Sequence, residues 1–240
     1  MPVTDMAFSH ISAGDAGTWA VAADGRVLYR GGQHLSPQGS KWEVIPGNTV
    51  FKMVDSGPYG FVTAITANNG VVYRDQISKQ FPSGTGWRNL GKQLESVSVG
   101  SFGIWGVDKD QNVHFARRPS LLSGSPLAWR MVPGVKLKQI DAGFGGSVWG
   151  VANDSRVYKR TGINHEEPYG KTWLYENAKI KSVTTGLKGV FGVAKNDRVV
   201  YKRSKYRTFF ISLFLAIYRV CMELKHKKGF SLKYRCRLML

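Results

Sequence analysis

Leu137-Lys138-Gln139-Ile140-Asp141-Ala142-Gly143, followed by Ser147-Val148-Trp149-Gly150-Val151 and Arg156-Val157-Tyr158-Lys159-Arg160, is one copy of a pattern that recurs along this chain. Its glycine belongs to a set of five, Gly14, Gly57, Gly100, Gly143 and Gly186, each 43 residues after the last. A fixed period of roughly 40–50 residues marks a repeat architecture, whose units cannot bury a core alone.

The other copies open with FSHISAG, FKMVDSG, LESVSVG and IKSVTTG. A second apolar run follows in each of the five: TWAVA, VTAIT, IWGVD, VWGVA and VFGVA. Polar turns rich in Asp, Asn and Gly (ADGR, NNG, KDQN, NDS, KND) lead to a third run ending in an aromatic and a basic residue. A Gly/Ser/Pro-rich loop then reaches a tryptophan segment in four copies: KWEVIPG, GWRNLGK, AWRMVPG and TWLYENA. Short β-rich runs separated by turn chemistry predict one antiparallel four-stranded meander per repeat. Such units arranged radially give an all-β β-propeller, in which neighbouring blades cover both faces of each sheet. That explains a second strand apolar at consecutive positions, with Trp19, Trp105, Trp149 and Phe191 filling space between blades. Gly106, Gly150 and Gly192 are expected to let sheets approach closely. In blade two, Thr63 or Val62 takes the aromatic slot, depending on the alignment, and Phe61 compensates.

The blades are placed at about residues 8–47, 48–92, 93–135 and 136–179, with a partial fifth at 180–203 that stops before a fourth-strand tryptophan. Over residues 8–203 the repeated LKQIDAG…SVWGV…RVYKR…W…PG signature resembles the tectonin-type β-propeller repeat of fish-egg lectins and tachylectin-1-like lectins. The resemblance implies a ring of about six blades, here incomplete. It also implies binding of glycans or bacterial lipopolysaccharide in innate immunity. Larger intracellular proteins with similar repeats, working in trafficking and autophagy, give the second reading: a scaffold for protein or phosphoinositide membrane.

Residues 204–240 differ in composition. They hold nine Lys/Arg against one Asp/Glu, a charge of +8 that leaves +10 of the total +18 for the repeats. Both cysteines, Cys221 and Cys236, lie there. This tail reads as a non-native end or as a basic, apolar helix lying on an anionic membrane; its Phe209–Tyr218 run is too short to span. No basic leader precedes an apolar run at the N-terminus, so the chain as written reads as cytoplasmic, whereas the resemblance suggests secretion. With charges mixed in the repeats, nucleic acid is not an expected partner. An incomplete ring leaves open strand edges, which predict self-association.

Catalytic and metal constellations are not legible. The five histidines show no ligand spacing. Asp108-Lys109-Asp110-Gln111-Asn112 and the sequon Asn153-Asp154-Ser155 both fall on expected hairpin turns. No cofactor is expected, and the chain reads as a non-enzyme. The candidate ligand residues are the third-strand bases Arg30, Arg74, Arg117 and Arg160, which read first as solvated strand-end charges whose stems cover apolar surface, and the short-loop aromatics Tyr59, Phe102 and Phe144. Alternating strand direction puts the short loops on the same edge as the long ones, which carry His34 and Tyr169.

Overall fold

The structure, a computed structural model, describes residues 7–33, 36–118 and 127–203. The tail 204–240 and His34, with the readings that concern them, lie outside the described residues. Blade one comprises β1 (Phe8–Gly14), β2 (Gly17–Ala22), β3 (Val27–Arg30) and β4 (Trp42–Val44). Blade two has β5 (Phe51–Ser56), β6 (Val62–Thr66), β7 (Gly70–Arg74) and β8 (Trp87–Gln93). Blade three has β9 (Ser96–Val99), β10 (Ile104–Val107), β11 (Val113–Ala116) and β12 (Arg130–Val132). Blade four has β13 (Gln139–Ala142), β14 (Val148–Val151), β15 (Arg156–Thr161) and the first part of β16 (Thr172–Thr185). Each sheet runs antiparallel in chain order. β16 pairs with β15 up to Lys179 and with β17 (Gly189–Ala194) from Ile180, so one strand closes blade four and opens the next sheet, which β18 (Val199–Arg203) completes.

The innermost strands β1, β5, β9, β13 and the end of β16 pack side by side around an axis. One hydrogen bond repeats between them, one repeat at a time. Ser12 Oγ accepts from the Ser56 amide at 3.0 Å, and Asp55 Oδ2 from the Val99 amide at 2.7 Å. Ser98 Oγ accepts from the Ala142 amide at 2.9 Å, and Asp141 Oδ1 from the Thr185 amide at 2.9 Å. Ser12 also donates to Asp55 Oδ1, and the Thr185 hydroxyl to Asp141 Oδ1. A second rung joins Gln139 Oε1 to the Val183 amide at 3.0 Å. These amides face across the axis rather than along their own sheet, so a buried side chain must satisfy them. In the fifth copy, Thr184 holds the same place, and its buried hydroxyl has no hydrogen-bond partner among the described residues.

The 43-residue glycine follows from the same contact. A Cβ on Gly14 would sit 2.2 Å from the Ser56 carbonyl oxygen, and one on Gly57 would sit 2.5 Å from Val99 Cβ. A side chain there would force adjacent inner strands apart.

Between blades the wedges Trp19, Trp105 and Trp149 are buried as expected. Trp19 packs with Phe51, Val54 and Val62 of blade two, and Trp105 with Leu137, Ile140 and Val148 of blade four. Trp149 packs with Ile180 and Val183, whereas Phe191 lies against Tyr201 of its own sheet at 4.7 Å. Strand register settles the departure in blade two. Thr63 stands opposite Tyr73, as Trp19 stands opposite Tyr29, and Phe61 stacks on Tyr73 at 5.4 Å. The role of Gly106 and Gly150 differs from the expectation. A Cβ there would meet Leu94 or Leu137 of the same blade, so these glycines admit the blade's own first leucine.

The opposite edge carries the tight turns, organised by Asx contacts. Asp24, Asp154 and Asn196 each accept from the amide of the arginine two residues on. The sequon residue Asn153 is exposed in one of these turns. Asp108 accepts from the Asp110 and Asn112 amides, the Asn112 side chain and His114 Nε2, the last at 2.7 Å. Burial acts to raise this carboxyl, but the hydrogen bonds from His114 and Asn112 outweigh it and hold it at about 2.

Two outcomes follow. Asp55→Ala, which leaves the buried Val99 amide without its acceptor, lowers unfolding free energy by about 3 kcal/mol in urea titrations. Because the folded-state Asp108 carboxyl lies below its unfolded value, its contribution is complete above about pH 4 and is lost as pH falls toward 2. The stability difference between the native chain and Asp108→Ala therefore shrinks over that interval.

Candidate ligand-binding rim

The short first loops and the long third loops do share one edge. The Thr18 amide donates to Gln33 Oε1 at 2.7 Å, Phe102 meets His165 edge-on at 5.0 Å, and a Cβ on Gly146 would touch Ile163.

The long loops are built the same way in blades one, two and four. Arg30 Nε donates to the Gln38 carbonyl at 2.8 Å. Arg74 donates through Nε to Ser83 at 2.7 Å and through Nη2 to Gly84 at 3.0 Å. Arg160 repeats this with Tyr169 at 2.8 Å and Gly170 at 3.1 Å. Each guanidinium lies over the tryptophan opposite it: Arg30 over Trp42 at 5.5 Å, Arg74 over Trp87 at 5.1 Å and Arg160 over Trp173 at 5.3 Å. The acceptors lie in Pro37-Gln38-Gly39, Pro82-Ser83-Gly84 and Pro168-Tyr169-Gly170, whose glycines have φ near +65° (65°, 63° and 67°). A Cβ on any of the three would lie 2.4–2.5 Å from the carbonyl oxygen of Gly31, Asp75 or Thr161. Proline, glycine and the arginine fork thus set the loop, and the tryptophan covers the cation.

This placement bears on the arginines singled out above. Arg74 and Arg160 are only 6% and 5% exposed, so they hold their loops instead of presenting a free cation at the surface. Burial pushes both below the ordinary arginine value, opposed by Asp75 at the first and reinforced by Arg130 at the second. Arg117 is not their counterpart. Phe115 pairs with Arg130 as Tyr29 pairs with Glu43, which puts Ala116 where the other blades have arginine. Arg117 is one residue further on and exposed.

Two of the three short-loop aromatics meet each other, and the third meets a long loop. Tyr59 meets Phe144 edge-on at 6.2 Å across the mouth, and Phe102 lies against His165. Arg118 joins them from blade three, 4.8 Å from the Tyr59 ring, donating to the Pro58 and Ser101 carbonyls. Among the described residues, no group of three or more His, Cys, Asp or Glu side chains is placed to hold a metal ion, and no helix is long and apolar enough to cross a membrane.

A family model described as the tectonin domain matches residues 3–177. The chain belongs to the tectonin family. It is 29% identical over 191 residues to a tectonin beta-propeller repeat-containing protein of Drosophila melanogaster, covering 72% of this chain and 14% of that protein. It is 27% identical over 125 residues to a fish-egg lectin of Cyprinus carpio, covering 50% of this chain and 52% of the lectin. A 31 kDa perivitellin-2 subunit of Pomacea maculata is 29% identical over 107 residues, covering 44% of this chain and 36% of the subunit. The chain therefore spans about half or less of the curated relatives it matches. Among solved structures it resembles U3-55K (TM-score 0.57, 11% identity, covering 83% of this chain and 62% of that one). It also resembles human WBSCR16 (TM-score 0.55, 13% identity, covering 83% and 62%). These two likenesses concern the propeller fold.

Within the tectonin repeats, the rim features that sequence reading missed are the Pro-x-Gly turns and Arg118. The turns carry a readable signal, Pro-x-Gly-x-x-Trp, at 37–42, 82–87 and 168–173. Arg118 has none, because its partners come from two other loops.

Replacing Arg160 by Lys supplies one point donor for two carbonyls. Amide hydrogen exchange over residues 168–171 speeds up at least tenfold in Arg160→Lys, while exchange in β13 and β14 stays within twofold.

Proposed function

We propose that this tectonin protein is a non-enzymatic, multivalent carbohydrate-binding protein that recognises glycan-bearing surfaces, bacterial envelopes and their lipopolysaccharide among them, through its loop rim, in a role in innate defence. The observation that carries this reading is the loop built three times over by the same arginine–tryptophan–Pro-x-Gly clamp on one edge of the propeller. Rigid scaffolds carrying loops of different sequence are where recognition resides. Tyr59, Phe102 and Phe144 offer aromatic faces for the C–H patches of sugars, Arg117 an exposed cation, and Arg30, Arg74 and Arg160 the loop geometry. The fish-egg lectin relative supports the same class of ligand. Single contacts of this kind are weak, and a rim of similar sites facing one way gains by effective concentration, on the order of 10²–10⁴-fold. The net charge of +18 adds steering toward anionic surfaces.

A glycan array read at low salt and at about 0.5 M salt tests this. Binding that survives salt and competes with free monosaccharide is expected. Avidity should fall stepwise as Arg74→Ala and Arg160→Ala are combined. Attachment only to anionic vesicles, with no sugar competition, would replace the lectin reading by the membrane-scaffold one. Self-association belongs to the same proposal, since β18 is exposed at every position, with Val199, Val200 and Tyr201 turned to solvent. Sedimentation velocity should show a mass that rises with concentration.

A further inference from the structure

The mouth of the ring carries one feature that the repeat does not explain. Tyr59 has a left-handed backbone, φ 60° and ψ 31°. Two repeats on, Gly145 has the same conformation, φ 60° and ψ 26°. Where blade four uses glycine, blade two holds a tyrosine at a strain on the order of 1 kcal/mol. Two contacts secure it: Asp15 Oδ2 accepts from the Tyr59 amide at 2.7 Å, and the Asp15 amide donates to the Gly57 carbonyl at 3.2 Å. Gly145 is held by the corresponding bond from its amide to Ser101 Oγ at 3.0 Å. The backbone requirement is therefore common to both blades, and the tyrosine ring is an addition to it. That ring is 65% exposed, so it is not there to fill a core.

Beside it stands Arg118, half-buried between blades two and three. Its Nη1 and Nη2 reach the Pro58 and Ser101 carbonyls at 3.5 and 3.2 Å, which among the described residues engages two of five N–H groups. Among the described residues no carboxylate lies within ion-pair distance of it, unlike Arg26, Arg88 or Arg156. Burial pushes Arg118 below the ordinary arginine value, with the Tyr59 hydroxyl acting against it. A partly desolvated cation with no counter-ion among the described residues, next to an exposed aromatic ring, attracts an anion more strongly than a solvated arginine does. Phe144, from the facing blade, meets the tyrosine edge-on at 6.2 Å.

We infer that Tyr59, Arg118 and Phe144 form one axial site for a saccharide bearing an anionic group, the sugar ring lying on Tyr59 and the anion on Arg118. This deepens the carbohydrate reading and rests on it. The rim loops repeat, whereas among the described residues this trio occurs once, because Gly32, Gln76 and Gly162 stand at the place of Arg118 in the other blades. It gives preference for charged over neutral sugars, which the repeated loops do not supply.

Calorimetric titration of the full chain separates the two claims, using a galacturonate trisaccharide, the matched neutral galactose trisaccharide, galactose 6-phosphate and inorganic phosphate. One equivalent of the galacturonate ligand should bind at least tenfold tighter than its neutral match. The galactose 6-phosphate arm shows whether carboxylate or phosphate is the preferred anion. In Arg118→Met the ratio of charged to neutral affinity should fall to within twofold of one. In Tyr59→Gly, which suits the backbone and so keeps the fold, the tight equivalent should disappear. Charged and neutral sugars binding alike in the native chain would overturn the axial site and leave the rim reading standing. So would a preference that survives both substitutions. Inorganic phosphate binding as tightly as the charged sugars, and indifferent to Tyr59→Gly, would reduce the site to an anion hole and overturn the saccharide claim. No binding of any sugar would overturn both readings.

Discussion

A buried side-chain oxygen on one inner strand accepting an amide of the next is the contact on which this molecule depends. Ser12, Asp55, Ser98 and Asp141 each do this once, at the same place in successive repeats. Each such bond contributes about 1 kcal/mol, but an unmet buried amide costs more, so the four act as a register lock. Once the inner strands are locked, the blades share an axis and their loops fall on common edges. The periodic glycines serve the same contact, since a methyl at Gly57 would push Val99 away.

The lock also fixes the spacing between the accepting side chain and the periodic glycine. A residue inserted before the glycine would turn the accepting side chain to the other face of its strand. Variation is instead carried by the long loops, where the arginine clamp fixes the two ends and leaves the intervening residues free to differ. In blades one, two and four that clamp converts a sequence-variable loop into one of fixed geometry. Blade three gives up the clamp, with Ala116 at the arginine position, and Arg118 turns inward to the axis instead. One blade has thus exchanged loop support for a contribution to the mouth.

Much of the fold is legible in the chain because period and turn chemistry are local signals. The four blades, the wedges at Trp19, Trp105 and Trp149, and the hairpin nature of Asp108–Asn112 and Asn153–Ser155 could all be read from spacing. The alignment of Arg117 with Arg30 and Arg74 could not be checked that way. Blade three's third run is written VHFAR, and only pairing of Phe115 with Arg130 shows that the alanine, not the arginine, faces the tryptophan strand. The ambiguity of Thr63 against Val62 has the same origin, and strand register removed it.

The sequence by itself determined the propeller class, the repeat length and the edge on which the loops meet, because these depend on residues a few positions apart. The tertiary structure alone decided what the arginines do and where the mouth aromatics converge. Burial of Arg74 and Arg160 depends on loop carbonyls nine and ten residues away. The meeting of Tyr59, Arg118 and Phe144 joins three blades around an axis that no linear spacing records.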